Sequence, residues 1–497
     1  MNSTSWLVRR ALLAIGLMVG FYALAVGIAL ALLWIPYAEW HYVGRLHPKI
    51  AFVCIGAALT LLWAIVPRVD RFEAPGPRID EQSHPDLFRL IADVASATGQ
   101  ERPSDVYLIN DVNAWVAHRG GIMGFGSRRV MGVGLPLLQA LSVLEVKAIV
   151  AHEFGHYASG DVKIGPWIYK TRAAIGRAIA GVHGTLIQAP FNWYGMQFLR
   201  LTHDVSRRQE FIADQIAASV AGAPALASAL RQVTALAPSF SAYLSNEVAP
   251  VVSAGFLPPI AAGFDDFIRT EEIASVSRKL IADAEGRRVT DEFATHPCLH
   301  DRLAALASLG RAPASSSTAS VPASTLLPDR ERLATVLVRF AVGAETHDRL
   351  KPVAWDAVGD HVYAPMWTQA AKAKSEWLGQ FTADTIPSDM AALKRAGSAL
   401  VRTEEEDSAV DLRVVRAVQI LGVGIGILLV EHGWRVRTTP GKPLVLARGA
   451  EVIDPFAVVR ECAEGQPGGD RWKAQCAAIG IAGRRLGESP LVTGSGS

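Results

Sequence analysis

Ala11 to Ala38 is a run of 28 residues without one charged side chain, and no other feature restricts the chain's architecture so strongly. As a helix it extends roughly 42 Å, more than the roughly 30 Å of a bilayer's hydrocarbon core. After a short polar loop, Glu39 to Lys49, Ile50 to Pro67 supplies 18 more uncharged residues. A cleaved secretory signal has a shorter apolar region and no second span directly behind it, so this pattern predicts a transmembrane helical hairpin over residues 1–70. Gly16 and Gly20 form a small-xxx-small pair that would let the two helices approach closely. Arg9 and Arg10 precede the first span and Arg68, Arg71 and Arg78 follow the second, against Arg45 and Lys49 in the loop. Cations concentrate on the cytoplasmic side, so both ends of the hairpin, and the bulk of the chain, are expected there.

At 497 residues the chain exceeds one ordinary core, and two or three domains are expected. A net charge of +2 with 19% charged residues leaves no basic field for nucleic acid. The lipid bilayer is the expected partner instead, because hydrophobic residues make up 50% of the chain and cluster at its start. Cys54, Cys298, Cys462 and Cys476 are too scattered for a disulfide framework and suit a reducing compartment.

Pro75-Gly76-Pro77 marks the exit from the membrane section. His84 to Gly99 carries Leu87, Leu90, Ile91 and Val94 at helical spacing, Asp105 to Asn110 alternates as a strand does, and Arg129 to Gly134 reads as another strand. Ser142-Val143-Leu144-Glu145 is a capping-box pattern, predicting a helix from Ser142 to near Gly160. Ala178 to Leu199 lacks Lys, Arg, Asp and Glu but holds His183, Gln188, Pro190, Asn192 and Gln197, which favours an amphipathic or interfacial helix pair over a third span. Asp204 to Ala221 is again helical. Residues 312–327, opening Ala-Pro-Ala-Ser-Ser-Ser, read as a linker between a domain over 71–311 and a C-terminal α+β region over 328–497. In that region Ala417 to Val430 has the length of a buried helix, and Trp434 to Ala447 the look of a hairpin around Pro440-Gly441. It contains no repeat and no catalytic signature.

Within the predicted helix lies His152-Glu153-Phe154-Gly155-His156, an H-E-x-x-H. Residues four apart share a helix face, so both imidazoles can reach one metal ion, with Glu153 beside it as a base for water. A hydrolytic zinc needs a third protein ligand. Ser206-Arg207-Arg208-Gln209-Glu210-Phe211-Ile212-Ala213-Asp214 offers one in Glu210, with Asp214 on the same face to orient a ligand histidine. The plain alternative is a surface ion pair between Arg207 and Glu210. His296, before Pro297 at a helix start, can present its imidazole to a developing oxyanion. A second metal pair with His300, or a structural site closed by His296 or Cys298, are the other arrangements open to it.

With these motifs the chain resembles the HtpX-like and CAAX-prenyl-protease-like zinc metallopeptidases, of gluzincin type. The resemblance rests on the hairpin, Asn113-Ala114-Trp115, Gly134-Leu135, residues 152–156, Ser206-Arg207-x-x-Glu210-Phe211-x-Ala213-Asp214, and Thr295-His296-Pro297 followed by Arg302. It spans roughly residues 1–310. It implies one Zn2+ per chain held by His152, His156 and Glu210, with Glu153 as general base and His296 as a transition-state or gating group. It also implies Asp214 and Arg207 as supporting residues behind the ligands, with Asn113, Ala114, Trp115 and Arg302 at the substrate. HtpX-like relatives carry two further spans between the second histidine and the zinc glutamate, where this chain has at most one candidate. The large chamber of the prenyl proteases is absent, so prenylated substrates are not implied.

The expectation is therefore a mainly α protein with a small β-sheet, a zincin-like α+β peptidase domain behind a transmembrane hairpin. Its activity would be that of a membrane-anchored zinc endopeptidase of a bacterial-type inner membrane, multi-pass and cytoplasmic-facing, acting on protein or peptide substrates in membrane protein quality control. The peptide would add as a strand along an edge near Val106 to Asn113. The rival expectation is a membrane scaffold or holdase that binds extended chains and seldom cuts them.

Overall fold

The computed structural model describes residues 3–66, 72–120, 126–158, 165–185, 187–288, 296–309, 321–401 and 411–488. Arg68, Arg71, Gly160, Thr295 and most of the expected linker lie outside the described residues. The fold is mostly helical with small sheets. It divides into two compact units: Met1–Pro238 with Ser277–Phe340, and Ser239–Val276 with Ala341–Ser497. A division at residues 312–327 alone is therefore not what is observed.

In the first unit, helix α1 (Ser3–Ala38) runs on as a single π turn over Glu39–Val43, and helix α2 (Pro48–Ile65) follows. Gly44, at φ 66°, ends the first helix, and Pro48 opens the second at the position where its missing N–H costs nothing. Their outward faces are apolar: Val19, Leu30, Phe52, Val53 and Leu59 are exposed, with Trp34, Tyr37, Trp40 and Tyr42 gathered at the loop end. An exposed apolar face with aromatics gathered at one end suits helices long and apolar enough to cross a membrane.

Helices α3 (Pro85–Ala97), α4 (Val143–Ala158), α5 (Gly165–Gly181) and α6 (Gln188–Ala221) come next. Ala178 to Leu199 is thus the junction of two helices, broken by a turn after Gly181, and not one span. The pair packs on the hairpin: Ala174, Ile175, Ala178, Val182, Phe191 and Phe198 join Phe21, Ala25, Ala58 and Leu61 in one core. Arg177 Nε donates to the Ala64 carbonyl at 3.1 Å. Tyr194 Oη donates to the Leu17 carbonyl at 2.5 Å, and a Cβ on Gly20 would lie 2.6 Å from that phenol oxygen. The small residue expected to seat α2 therefore seats Tyr194 of α6 instead. Nothing lies within 4 Å of a Cβ at Gly16.

A four-stranded sheet, β1 (Arg78–Ile79), β2 (Asp105–Ile109), β3 (Ala114–Arg119) and β4 (Arg128–Gly134), has the order β1-β2-β4-β3. β2 pairs parallel with β4 and antiparallel with β1; β3 pairs antiparallel with β4. The edge expected near Val106 to Asn113 is therefore wrong. β2 is an inner strand, all five residues buried, and the edges are β1 and β3. Leu87, Leu90, Ile91 and Val94 of α3 are buried, as their spacing requires.

The start of α4 follows its sequence signal. Ser142 N–H donates to Glu145 Oε2 at 2.7 Å, and Glu145 N–H donates to Ser142 Oγ at 3.3 Å, each filling a group the first helical turn leaves unpaired. Glu145 is buried and also accepts from Ser228 Oγ at 2.6 Å, which ties the helix start to the segment Ala223–Ala242.

Helix α7 (Leu299–Ser308) completes the elements of the first unit that matter to the site. In the second unit, helix α8 (Leu412–Glu431) is long and apolar enough to cross a membrane, as are Ile15–Val43 and Pro48–Ile65. Unlike those, it forms the unit's core, with Leu421, Ile425, Leu428 and Leu429 fully buried. A Cβ on Gly422 or Gly426 would strike the rings of Phe456 or Trp367, so these glycines let aromatic neighbours reach the helix backbone. Strand β5 (Phe256–Leu257) pairs in parallel with β6 (Lys351–Pro352), and Trp355 Nε1 donates to the Pro259 carbonyl at 2.9 Å. Those bonds explain why Ser239–Val276 groups with the C-terminal region. β7 (Arg435–Arg437) and β8 (Val445–Arg448) form the hairpin expected around Pro440-Gly441, and β9 (Glu451–Ile453) extends it to three strands.

Replacing Ser142 with Ala removes one half of the reciprocal cap. Denaturant unfolding of the S142A protein should show a loss of about 1 kcal/mol.

Candidate metal centre

His152 and His156 project from one face of α4, their ring centroids 4.8 Å apart. Glu210 and Asp214 project from one face of α6. What brings the two faces together is the absence of a side chain at Gly155: a Cβ there would lie 2.9 Å from Ala213 Cα and 3.2 Å from its carbonyl oxygen. The helix backbones are thus in direct contact midway between the histidines on one side and the carboxylates on the other.

The outcome is a cluster in which ligand atoms of His152, His156 and Glu210 all lie within 4.8 Å of one another. Glu210 Oε2 is 3.4 Å from His152 Nε2, and Oε1 is 3.6 Å from His156 Nε2. On its other nitrogen, His152 Nδ1 lies 3.0 Å from Asp214 Oδ1. That division leaves Nε2 turned toward Glu210 and His156. Arg302, from α7, grips Asp214 with both arms, Nε to Oδ2 at 2.9 Å and Nη2 to Oδ1 at 2.6 Å, and its Nη2 is 3.9 Å from Glu210 Oε2.

Burial makes these charges matter. Asp214, Glu210 and His152 are 1%, 3% and 7% exposed, so none is solvated by bulk water. Burial opposes charge on His152, but the hydrogen-bonding carboxylates of Asp214 and Glu210 outweigh it and raise the imidazole to about 9. Burial likewise opposes charge on Glu210 and Asp214, yet both are held below the usual carboxylate range, Glu210 by His152 and His296, Asp214 by Arg302 and His152. Glu153 goes the other way. Burial pushes its carboxyl up against the pull of His152 and His156.

The donor set fits a divalent cation. Glu210 Oε2 is buried without an aligned hydrogen-bond partner, and so is His152 Nδ1 despite its short contact to Asp214. Two imidazoles and a carboxylate in an unsatisfied cluster of low exposure are a donor set that zinc coordinates.

The other sequence candidates are placed as follows. His296 is 61% exposed on its side chain, and its Nδ1 lies 2.8 Å from Glu210 Oε2. His300 Nδ1 is 3.0 Å from the Glu285 carbonyl, away from His296's partner. Cys298 precedes α7 and is no member of the cluster. Arg207 is half-buried on α6 and makes no ion pair with Glu210 among the described residues. Arg302 is buried and spent on Asp214. Asn113 is exposed immediately before β3, Ala114 is buried and Trp115 half-buried. Two features lie beyond the sequence reading: the close helix contact at Gly155, and strand β3, although Ala114-Trp115-Val116-Ala117 alternates in burial.

A largely buried two-histidine, one-carboxylate cluster on paired helices, with a second carboxylate beside one ring, is a donor set of the kind metallopeptidases use. Comparison with known proteins narrows the class. Residues 81–309 match the family model described as Peptidase family M48. Over 255 residues the chain is 25% identical to the Protease HtpX homolog of Paraburkholderia phytofirmans (strain DSM 17436 / LMG 22146 / PsJN), covering 47% of this chain and 77% of that one. No solved structure matches the chain. These matches support an HtpX-like M48 metallopeptidase resemblance over residues 81–309.

Because His152 carries a proton below about pH 9 in the metal-free cluster, that proton must leave before Nε2 can ligate. Zinc affinity measured by competition with a chelator should therefore rise about tenfold per pH unit from pH 6 towards pH 9, then flatten.

Proposed function

We propose that this protein is a membrane-anchored zinc endopeptidase with a zincin-like catalytic domain, held in the membrane by the hairpin of α1 and α2. The observation that carries the proposal is the convergence of His152, His156 and Glu210, with Glu153 in electrostatic reach of all three. His152, His156 and Glu210 would hold one zinc ion. Zinc in such a site supplies Lewis acidity toward a water molecule and the scissile carbonyl.

The chain's own residues do the rest. Asp214, fixed by the two-armed grip of Arg302, holds His152 in the tautomer that turns Nε2 to the metal. Arg302 thereby acts through Asp214 and not on the substrate. Glu153, poised by burial above the usual carboxylate range, takes a proton from the attacking water and delivers it to the leaving amine. His296, exposed and beside Glu210, is placed to donate to the oxyanion that forms as the carbonyl is attacked. The peptide lies extended against β3, past Asn113, Ala114 and Trp115, paired through its main chain, which makes side-chain selection broad. Broad selection suits the turnover of misfolded membrane proteins, and the cation distribution around the hairpin favours a site on the cytoplasmic side.

Glu153→Gln should retain zinc and lose hydrolysis of casein by several orders of magnitude; a substituted protein cutting near the parental rate would remove Glu153 as the base. Glu210→Ala should lose the metal. Full zinc occupancy in that variant, measured by elemental analysis of the purified protein, would place the third ligand elsewhere.

A further inference from the structure

Tyr157, next after the second histidine, takes no part in the donor cluster. Its phenol O–H donates to the Val116 carbonyl of β3 at 2.8 Å. Its ring lies beneath the Arg129 guanidinium at 4.6 Å and beside the His118 ring at 5.7 Å, so its place is fixed from two sides.

The direction in which the Val116 carbonyl points follows from strand geometry. Gly134 N–H donates to the Asn113 carbonyl at 2.8 Å, so Asn113 turns its polar groups toward β4. Backbone polarity alternates along a strand: residues 113, 115 and 117 face β4, and residues 114, 116 and 118 face the other way. The Val116 carbonyl therefore lies on the side of β3 where no strand pairs among the described residues. Tyr157 fills that acceptor, and the His118 backbone acts on the same phenol oxygen. The Val116 carbonyl and the His118 N–H are the two groups that one residue of an incoming parallel strand would bond.

We propose that Tyr157 is a stop for strand addition: by occupying the β3 edge at Val116 and His118 it confines an extended peptide to the Ala114 end, and so sets the register in which the peptide crosses α4. The inference rests on the peptidase reading above and adds to it a limit on one side of the substrate. Tyr157 is a positioning residue, since it touches the strand that receives the peptide and not the reacting atoms. A tyrosine serving only to tether α4 to β3 would make the same bond, so the test must read register.

The test uses the full-length, zinc-loaded protein in detergent. Its substrates are peptides lengthened one residue at a time on either side of a single scissile bond. For the parental enzyme, kcat/KM should stop rising after a short extension on one side. In Tyr157→Phe it should go on rising over the next two residues on that side alone, about three- to tenfold, the worth of one or two added hydrogen bonds, through KM with kcat little changed. An unchanged stopping point, or a fall in kcat at every length, would overturn the stop. A second measurement needs no variant. N-methylation of the peptide at successive positions should raise KM where an amide pairs with the Ala114 carbonyl, and a second sensitive position two residues along would overturn the proposal. Absence of any chelator-sensitive cleavage by the parental protein would instead remove the peptidase reading on which the inference stands.

Discussion

The close contact between α4 and α6 at Gly155 and Ala213 is the constraint from which the site follows. Packed helices ordinarily run about 8–10 Å apart with side chains filling the gap, whereas here a side chain at Gly155 would strike the Ala213 backbone. With no side chain at Gly155, the backbones touch midway between the two histidines. Everything needing two helices at once then becomes possible: ring nitrogens from one, carboxylates from the other, and a centre small enough for one ion.

Such closeness has an electrostatic cost, and the chain meets it in layers. Three ionisable groups with little exposure would destabilise the fold if left unpaired. Here positive and negative charges alternate outward, from the imidazole of His152 to Asp214 and from Asp214 to Arg302. Each buried charge finds its opposite one step further from the centre, and α7 delivers the last of them from a distant part of the sequence. The arrangement also separates the carboxylates by character. Glu210 and Asp214 are held ionised by cationic neighbours, whereas Glu153, whose surroundings are set mainly by burial, is readier to accept a proton.

What the sequence makes legible is what local chemistry decides. The cap at Ser142, the helical spacing of α3, the strands at Asp105 and Arg129 and the pairing of His152 with His156 all depend on residues within one or two turns of each other. Long-range packing is where it falls short. Gly20 looks like half of a helix-pairing motif, and only the fold reveals that Tyr194, far along the chain, takes the space beside it. Arg302 looks like a cleft residue because it is charged and follows His296; its burial against Asp214 depends on where α7 lies. The segment around Val106 looks like an edge because strand order is a property of the sheet and not of the strand. The grouping of Ser239–Val276 with the C-terminal region turns on a two-residue parallel pairing that no local pattern announces.

Helix α8 has a consequence for how the chain must be made. By length and composition it qualifies for a bilayer as α2 does, yet its neighbours Trp367, Phe456 and Leu486 enclose it within a protein core. An insertion machinery reading hydropathy alone, as each segment emerges, has little basis for telling the two apart. Residues that complete the enclosure, Leu486 among them, are synthesised after the helix itself. Until they arrive, its greasy surface is uncovered, and a lesion that delays them offers the segment a lipid refuge from which the second unit could no longer assemble.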